Sequence, residues 1–379
     1  MKELDVRKLS KNIRATLEKE LEKKHIGGAE IIVNQDGNRV FHDVFGMKNA
    51  KKKMPFGCIY RIASMTKPIT AVAVLKEVER GNINLNDDVS NYLPEFEYSN
   101  FDIAKLDNNK MVITGKNTRP LKVFHLLSHT SGINADWLGV WQMETMPQEA
   151  KRSLATAVEY FSKQPLIFEP YTWERYSITG SFDVAARIVE KVSGKSYDKY
   201  LYENIFSPLG MNDTTFDPTA EQWDRMVAIT NIDKDGNIFD DNTEEGHVFE
   251  NIPPSYCCAG GGLASSAEDY SKFAQMLLND GKDPDGNSVV SEDLIKKMRN
   301  PVVDDSIMDQ IHRWGLGVRV VVNQKDILPI GSFGWSGAYK THFWADPENK
   351  ITAILMQNSR IPEDDITKVS FEKDIMRSF

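Results

Sequence analysis

Apolar positions recur along this chain with two different periods, and each period predicts a different kind of element. Leu9, Ile13, Leu17 and Leu21 step by one helical turn, which predicts an N-terminal amphipathic helix docked by one face, with Gly27-Gly28 as its stop. Ile31-Ile32-Val33 and Val40-Phe41-His42-Asp43-Val44-Phe45 then flank Asp36-Gly37, a turn pair suited to a β-hairpin. From Thr66 to Arg80 the pattern is helical and halts at Gly81. The middle of the chain is dominated by helical patterns over Leu121 to Ser128, Leu154 to Phe161, Gly180 to Val192 before Gly194, and Tyr197 to Ile205. Ser265 with Glu268 reads as a capping box opening a helix to Leu278, and another helix covers Glu292 to Met298. The last stretch changes character. Val318 to Val322, Ile327 to Ile330, Thr341 to Trp344 and Ile351 to Met356 predict short strands separated by turns at Gln324-Lys325-Asp326 and Asp346-Pro347-Glu348-Asn349, followed by a helix from Pro362 to Met376.

Strands at both ends with helices between them predict an α/β (α+β) protein whose antiparallel sheet is built from the two termini. The expected division is a discontinuous sheet domain, 1–85 with 310–379, and a mainly helical domain, 86–309, with the ligand cleft between them. A chain of 379 residues with 41% apolar side chains is long enough to bury a substantial core. Its net charge of −9 argues against a nucleic-acid partner or an anionic membrane surface, both of which need clustered Lys and Arg. The apolar run Ala71 to Leu75 is far too short to span a bilayer. The charged N-terminus lacks the apolar stretch of a secretory signal, and three cysteines, two of them adjacent at Cys257 and Cys258, do not make a disulfide framework. Both observations point to the cytoplasm.

Chemistry enters at Ser64-Met65-Thr66-Lys67, where an extended segment, Ile59 to Ala63, hands over to the apolar helix. With Ser64 at the helix start, the i, i+3 spacing puts a hydroxyl and an amine on one face. A serine hydroxyl is a weak nucleophile, and a lysine can take its proton where desolvation favours the neutral amine. Ile62, Ala63, Pro68 and Ile69 supply apolar surroundings. Alone, the pattern is also what an ordinary N-cap followed by a solvated lysine looks like.

Four further segments supply the context. His125-Leu126-Leu127-Ser128-His129-Thr130-Ser131-Gly132, Pro208-Leu209-Gly210-Met211 with Asp213-Thr214, Gly260-Gly261-Gly262-Leu263-Ala264-Ser265, and Phe333-Gly334-Trp335-Ser336-Gly337 follow Ser64-x-x-Lys67 in that order. Together they resemble the serine β-lactamase-related family, which includes class C β-lactamases, penicillin-binding D-alanyl-D-alanine peptidases and β-lactamase-like carboxylesterases (family VIII type). The similarity runs from about Ala29 to Gln357. It implies a β-lactamase/transpeptidase-like fold and a serine hydrolase working through an acyl-enzyme, with Ser64, Lys67 and Tyr176 as catalytic residues. Tyr176, in Glu174-Arg175-Tyr176-Ser177-Ile178, falls where the family places its tyrosine. Which of Lys67 and Tyr176 is the acylation base stays open. The resemblance also implies an oxyanion hole made by the backbone N–H groups of Ser64 and Ala338, with Trp335, Ser336 and Gly337 facing substrate and Gly337 allowing its close approach.

Two departures bear on the substrate. The β-lactamases of the family carry Lys-Thr-Gly where this chain has Trp335-Ser336-Gly337, and Tyr-x-Asn where it has Tyr176-Ser177-Ile178. Tryptophan removes a cation suited to a substrate carboxylate, and isoleucine removes an amide partner. The esterase branch is similar in carrying tryptophan there, so a small or short-acyl ester is the expected substrate, with a β-lactam or a D-amino-acid amide or peptide as the alternative. A non-catalytic binding relative is the alternative outside the enzyme class. Tyr171, Trp173 and Tyr256 are either aromatic pocket surface or packed core. No cofactor is implied, and the oligomeric state is not legible.

Other patterns carry less. His125 and His129 stand four apart on an expected helix but lack the Glu of a zinc-protease motif, so no metal is expected. Gly260-Gly261-Gly262 lacks the Gly-Lys-Ser/Thr ending of a phosphate loop and reads as close strand packing. Gly334-Trp335-Ser336-Gly337-Ala338 imitates a nucleophile elbow without its last glycine. The acidic clusters Asp240-Asp241 with Glu244-Glu245, and Glu363-Asp364-Asp365, read as solvated loops or helix starts.

Overall fold

A computed structural model describes residues 1–108, 110–241, 253–308, 311–362 and 366–379, with the backbone only at Ile366. The strands are β1 (Gly28–Gln35), β2 (Asn38–Asn49), β3 (Lys52–Lys53), β4 (Ile59–Arg61), β5 (Asp102–Asp107), β6 (Lys110–Lys116), β7 (Thr230–Ile232), β8 (Ile238–Asp240), β9 (Ala264–Ser266), β10 (His312–Trp314), β11 (Arg319–Val321), β12 (Phe333–Ser336), β13 (His342–Asp346) and β14 (Ile351–Met356). The helices are α1 (Val6–Glu22), α2 (Thr66–Glu79), α3 (Val123–Leu127), α4 (Asp136–Glu144), α5 (Leu154–Ser162), α6 (Gly180–Ser193), α7 (Tyr197–Leu201), α8 (Ser207–Leu209), α9 (Ala220–Arg225), α10 (Ala267–Leu278), α11 (Glu292–Met298) and α12 (Ile366–Met376).

Eight strands form one antiparallel sheet in the order β10-β11-β12-β13-β14-β1-β2-β3, so the first strand of the chain pairs with the last. That register sets Val33 against Ala353 and Ile32 against Ile354. Strand alternation then sorts the core. Ala29, Ile31 and Val33 face α1 and α12 together with Ala353 and Leu355, whereas Ile32, Ile354 and Met356 face the helical body. Asp5 caps α1 by accepting from the Arg7 and Lys8 amides at 3.0 Å. Leu9, Ile13 and Leu17 on the inner face are buried, each contributing roughly 1.5–3 kcal/mol. On the other face α10 packs against β1, β13 and β14. Beyond it lies α2, buried on all sides from Thr66 to Leu75 and packed on α6, as befits a helix with no polar face.

Several expectations need correction. Ile327 to Ile330 is not a strand. Asp326 Oδ1 accepts from the Leu328 amide at 2.9 Å and the Ser332 amide donates to the Pro329 carbonyl at 3.0 Å, so this stretch is a turn around a proline that cannot donate to a ladder. The cap of α10 is Ser266, whose hydroxyl accepts from the Asp269 amide at 3.2 Å; Ser265 belongs to β9 and its hydroxyl meets that of Thr214. The helix expected over Leu121 to Ser128 is only α3. His129 lies outside it with φ +58°, so the two histidines are not one turn apart on a helix. The hairpin β5–β6 and helix α4 were not foreseen. Glu244-Glu245 and Glu363-Asp364-Asp365 lie outside the described residues, and the final helix is described from Ile366. Among the described residues no helix is long and apolar enough to cross a membrane.

Candidate active site

Ser64 is presented by a tight transition out of a strand. β4 pairs with β9, the Ile62 amide donates to the Leu263 carbonyl at 3.1 Å, and Ala63 then turns left-handed at φ +43°. An alanine in that region costs on the order of 1 kcal/mol, held here by the strand before it and the helix after it. A 3₁₀ turn over Ala63–Met65 carries Ser64 into α2, leaving it partly exposed while Lys67 is fully buried.

The Lys67 amine is held on three sides. Nζ lies 3.1 Å from Ser64 Oγ and donates to the carbonyl oxygens of Ile178 and Gly260 at 2.7 Å each. Two carbonyls therefore occupy two of its hydrogens, and its third direction faces the serine. The Tyr176 ring centroid is 4.8 Å from Nζ. Gly260 can bring its carbonyl to the amine because a Cβ there would strike the Thr179 backbone, which explains the glycine run as close packing. Asp183, fully buried, fixes the same loop by accepting from the Ala259 amide at 2.7 Å, the Gly260 amide at 3.3 Å and the Tyr256 hydroxyl at 2.7 Å. Burial pushes the Asp183 carboxyl up to about 6 despite those donors.

The Tyr176 segment is fixed by the His129 to Asn134 stretch. His129 Nδ1 accepts from the Ser177 amide at 2.9 Å, the Asp136 amide donates to the Tyr176 carbonyl at 3.0 Å, and the Ile178 amide donates to Asn134 at 2.9 Å. His129 is pushed well below the ordinary histidine range, first by burial and then by the Lys67 charge, so it is neutral. His125 is also pushed down, to about 3, by burial. Its Nδ1 accepts from the Lys122 amide at 3.1 Å. Both histidines are structural pins. Among the described residues no three His, Cys, Asp or Glu side chains gather as a metal-ligand set.

Tyr176 belongs to an aromatic wall. Its ring centroid lies 5.3 Å from that of Trp335, and the Trp335 Nε1–H points to its hydroxyl at 3.4 Å. Trp314, which sequence reasoning missed, completes the wall at 4.5 Å from Trp335 and 4.2 Å from His129. Its indole N–H donates to Glu174 Oε1 at 2.6 Å, and burial raises the Glu174 carboxyl above its ordinary range. The available signal was the run Trp314-Gly315-Leu316-Gly317, in which Gly317 packs against Ala71 and the Lys67 carbonyl of the nucleophile helix. Tyr256 is core, bonded to Asp183. Trp173 is 44% exposed beneath the Arg175 guanidinium, and Tyr171 stacks on His125, so neither joins the wall.

The hairpin from β12 to β13 lies beside Ser64. The Gly337 amide donates to the Thr341 carbonyl at 2.8 Å, and Thr341 Oγ1 donates to the Ile62 carbonyl at 3.1 Å. Ala338 is therefore in an exposed turn rather than on the strand. Among the described residues neither the Ser64 nor the Ala338 amide makes a turn, cap or loop hydrogen bond. The close approach at Gly337 is to the Ile62 carbonyl and Thr341 Oγ1, not to an open cleft. Strand alternation separates Trp335 from Ser336, whose hydroxyl meets His342 Nδ1 at 2.9 Å on the other face. Of these residues only Trp335 brings its side chain to the Lys67 and Tyr176 group. The three cysteines are buried and free, and burial pushes the Cys58 and Cys257 thiols up to about 12.

Known proteins resemble this chain over most of its length. The β-lactamase family model matches residues 13–374. Protein Rv1367c of Mycobacterium tuberculosis is 29% identical over 325 residues, covering 79% of this chain and 77% of its own. Esterase EstB of Burkholderia gladioli is 26% identical over 390 residues, covering 94% and 92%. Among solved structures, EstCE1, described as a hydrolase with promiscuous acyltransferase activity, superimposes with a TM-score of 0.81 at 20% identity, covering 98% of each chain. The chain belongs to the β-lactamase family and has that family's serine-hydrolase fold.

Proposed function

We propose that the protein is a carboxylesterase of small or short-acyl esters that works through an acyl-enzyme on Ser64. The observation that carries this reading is the buried Lys67 amine, 3.1 Å from Ser64 Oγ, beneath a Tyr176–Trp335–Trp314 wall in place of a cation. Ser64 Oγ attacks the ester carbonyl carbon and gives up its proton to Lys67 and Tyr176. The carbonyl π electrons move to oxygen, and the amides of Ser64 and Ala338 stabilise that charge. Collapse expels the alcohol, which leaves with the proton returned by the same pair. Water then attacks the acyl-enzyme, its proton follows the reverse route, and the acid departs with Ser64 restored. A second alcohol in place of water would give transesterification.

The ester preference rests on the aromatic wall. A β-lactam or peptide carboxylate would meet Trp335 instead of a lysine and Ile178 instead of an asparagine, losing two polar partners. A relative named as an esterase, EstB, which aligns over most of this chain, adds support. The test compares p-nitrophenyl acetate and butyrate, nitrocefin and a D-alanine p-nitroanilide, with fluorophosphonate labelling read by intact mass. Short-ester turnover and a single adduct, both lost in Ser64→Ala, are expected. Dominant nitrocefin turnover would overturn the substrate, and turnover surviving in Ser64→Ala would overturn the nucleophile.

A further inference from the structure

Trp314 ends β10, the last strand on one side of the large sheet, and its ring reaches the helical body. There it touches both rings that flank the Tyr176 phenol. Its centroid lies 4.2 Å from that of His129 and 4.5 Å from that of Trp335, and these in turn lie 4.5 Å and 5.3 Å from the centroid of Tyr176. Trp314 is only 3% exposed, so it backs the wall. Packing between flat rings does not by itself fix an indole, because the χ2 torsion of tryptophan is broad and roughly two-fold. The N–H fixes it by donating to Glu174 Oε1 at 2.6 Å. An ionised acceptor makes that bond roughly twice as strong as a neutral one would.

The acceptor is a costly one to place here. Glu174 is half-buried in the loop before Tyr176, and burial raises its carboxyl above the ordinary range. Its neighbour Arg175 turns elsewhere, over the Trp173 ring at 3.4 Å and to within 3.3 Å of Asp136. The loop also meets β10 through Val302, which accepts from the Tyr171 hydroxyl at 3.3 Å and whose amide donates to the Trp314 carbonyl at 2.8 Å. We propose that Glu174 is a positioning residue: it holds the Trp314 indole in the one orientation that keeps His129 and Trp335 against Tyr176, and so fixes the phenol hydroxyl relative to Ser64 and Lys67. The inference rests on the esterase reading of this site.

The test measures kcat and KM of the whole chain for p-nitrophenyl butyrate, with sites counted by fluorophosphonate labelling carried to completion. Glu174→Leu should lower kcat about ten-fold with KM little changed, because a fraction of an ångström in the phenol costs part of the ~10²-fold that a full ångström does. Glu174→Gln keeps an accepting oxygen and should recover kcat to within about three-fold of the parent. Trp314→Phe removes the donor, and adding Glu174→Leu to it should cost nothing further, since the two act through one bond. Should Glu174→Leu fail to fold, Glu174→Ala carries the same comparisons. A parental kcat in the Leu or Ala variant, a loss confined to KM, a Gln variant no better than Leu, or losses that multiply in the double variant would each overturn the proposal. Ser64→Ala separates the two readings: turnover surviving there removes the nucleophile, whereas turnover lost there with a parental kcat in Glu174→Leu removes the positioning role alone.

Discussion

Gly337→Ala tests how the site is held together. A methyl built on Gly337 would stand 3.1 Å from the Ile62 carbonyl carbon and well inside contact distance of its oxygen and of Thr341 Oγ1. It intrudes on the bond by which Thr341 ties the hairpin to Ile62. Both neighbours are fixed, Ile62 by the Leu263 carbonyl and Thr341 by the Gly337 amide, so the hairpin has to move away from the Ser64 turn. Relief of the overlap takes roughly 1 Å, a displacement that costs on the order of 10²-fold in rate when it separates groups that must converge on one atom. Because Ala338 is the next residue and Ile62 lies two before Ser64, the shift falls between the two proposed oxyanion donors. The expected result is a kcat for p-nitrophenyl butyrate about 100-fold lower with KM little changed, and a stability loss of about 1–3 kcal/mol from overpacking. Sites are counted by the initial burst of p-nitrophenol, so unfolded protein does not enter kcat. Gly115→Ala, where an added Cβ meets nothing within 4 Å, serves as the control and should leave kcat unchanged. A parental kcat in Gly337→Ala, or a loss confined to KM, would refute the reasoning.

Two other outcomes are expected. Trp335→Lys should raise nitrocefin turnover and lower short-ester turnover, each by about ten-fold, as a cation replaces ring contacts worth roughly 0.5–1.5 kcal/mol apiece; parallel loss of both activities would contradict the role given to the wall. Asp183 binds its proton more tightly folded than unfolded, so its contribution to stability is full below about pH 3.8 and fades as pH rises through about 6. Burial is the cause, and the gap corresponds to about 3 kcal/mol. Urea unfolding from pH 4 to 7 should show the parent losing about that much relative to Asp183→Asn. Parallel pH curves would show that this carboxyl is not perturbed.

What was legible in the sequence follows from how local each signal is. α1, the β1–β2 hairpin, α2 and β14 were readable because single-face periodicity, a turn dipeptide or an unbroken apolar run marks them within a dozen residues. The Ser64 and Lys67 pair was readable because one turn of helix fixes their spacing. Ser265 and Ser266 offer the same capping pattern in two adjacent frames, with Glu268 or Asp269 as third residue, and only strand pairing of Ser265 with Tyr60 decides between them. β5 and β6 escaped because β6 is exposed along its length, so no face is selected for apolar side chains. Trp314 reaches Tyr176 only through the sheet, far from it in sequence, and nothing local to either residue announces the contact.

The pairing of β1 with β14 bears on how the chain is made. A ribosome delivers Val33 320 residues before Ala353, so one edge of the nascent hairpin stays bare while those residues are made. The Thr341 clamp on Ile62 arrives equally late. A prematurely terminated chain would hold Ser64 and Lys67 yet present an open, strongly apolar strand, and such fragments are recruited into aggregates unless a chaperone shields them. Until those segments are made, the Ser64 turn thus lacks both its sheet partner and its clamp.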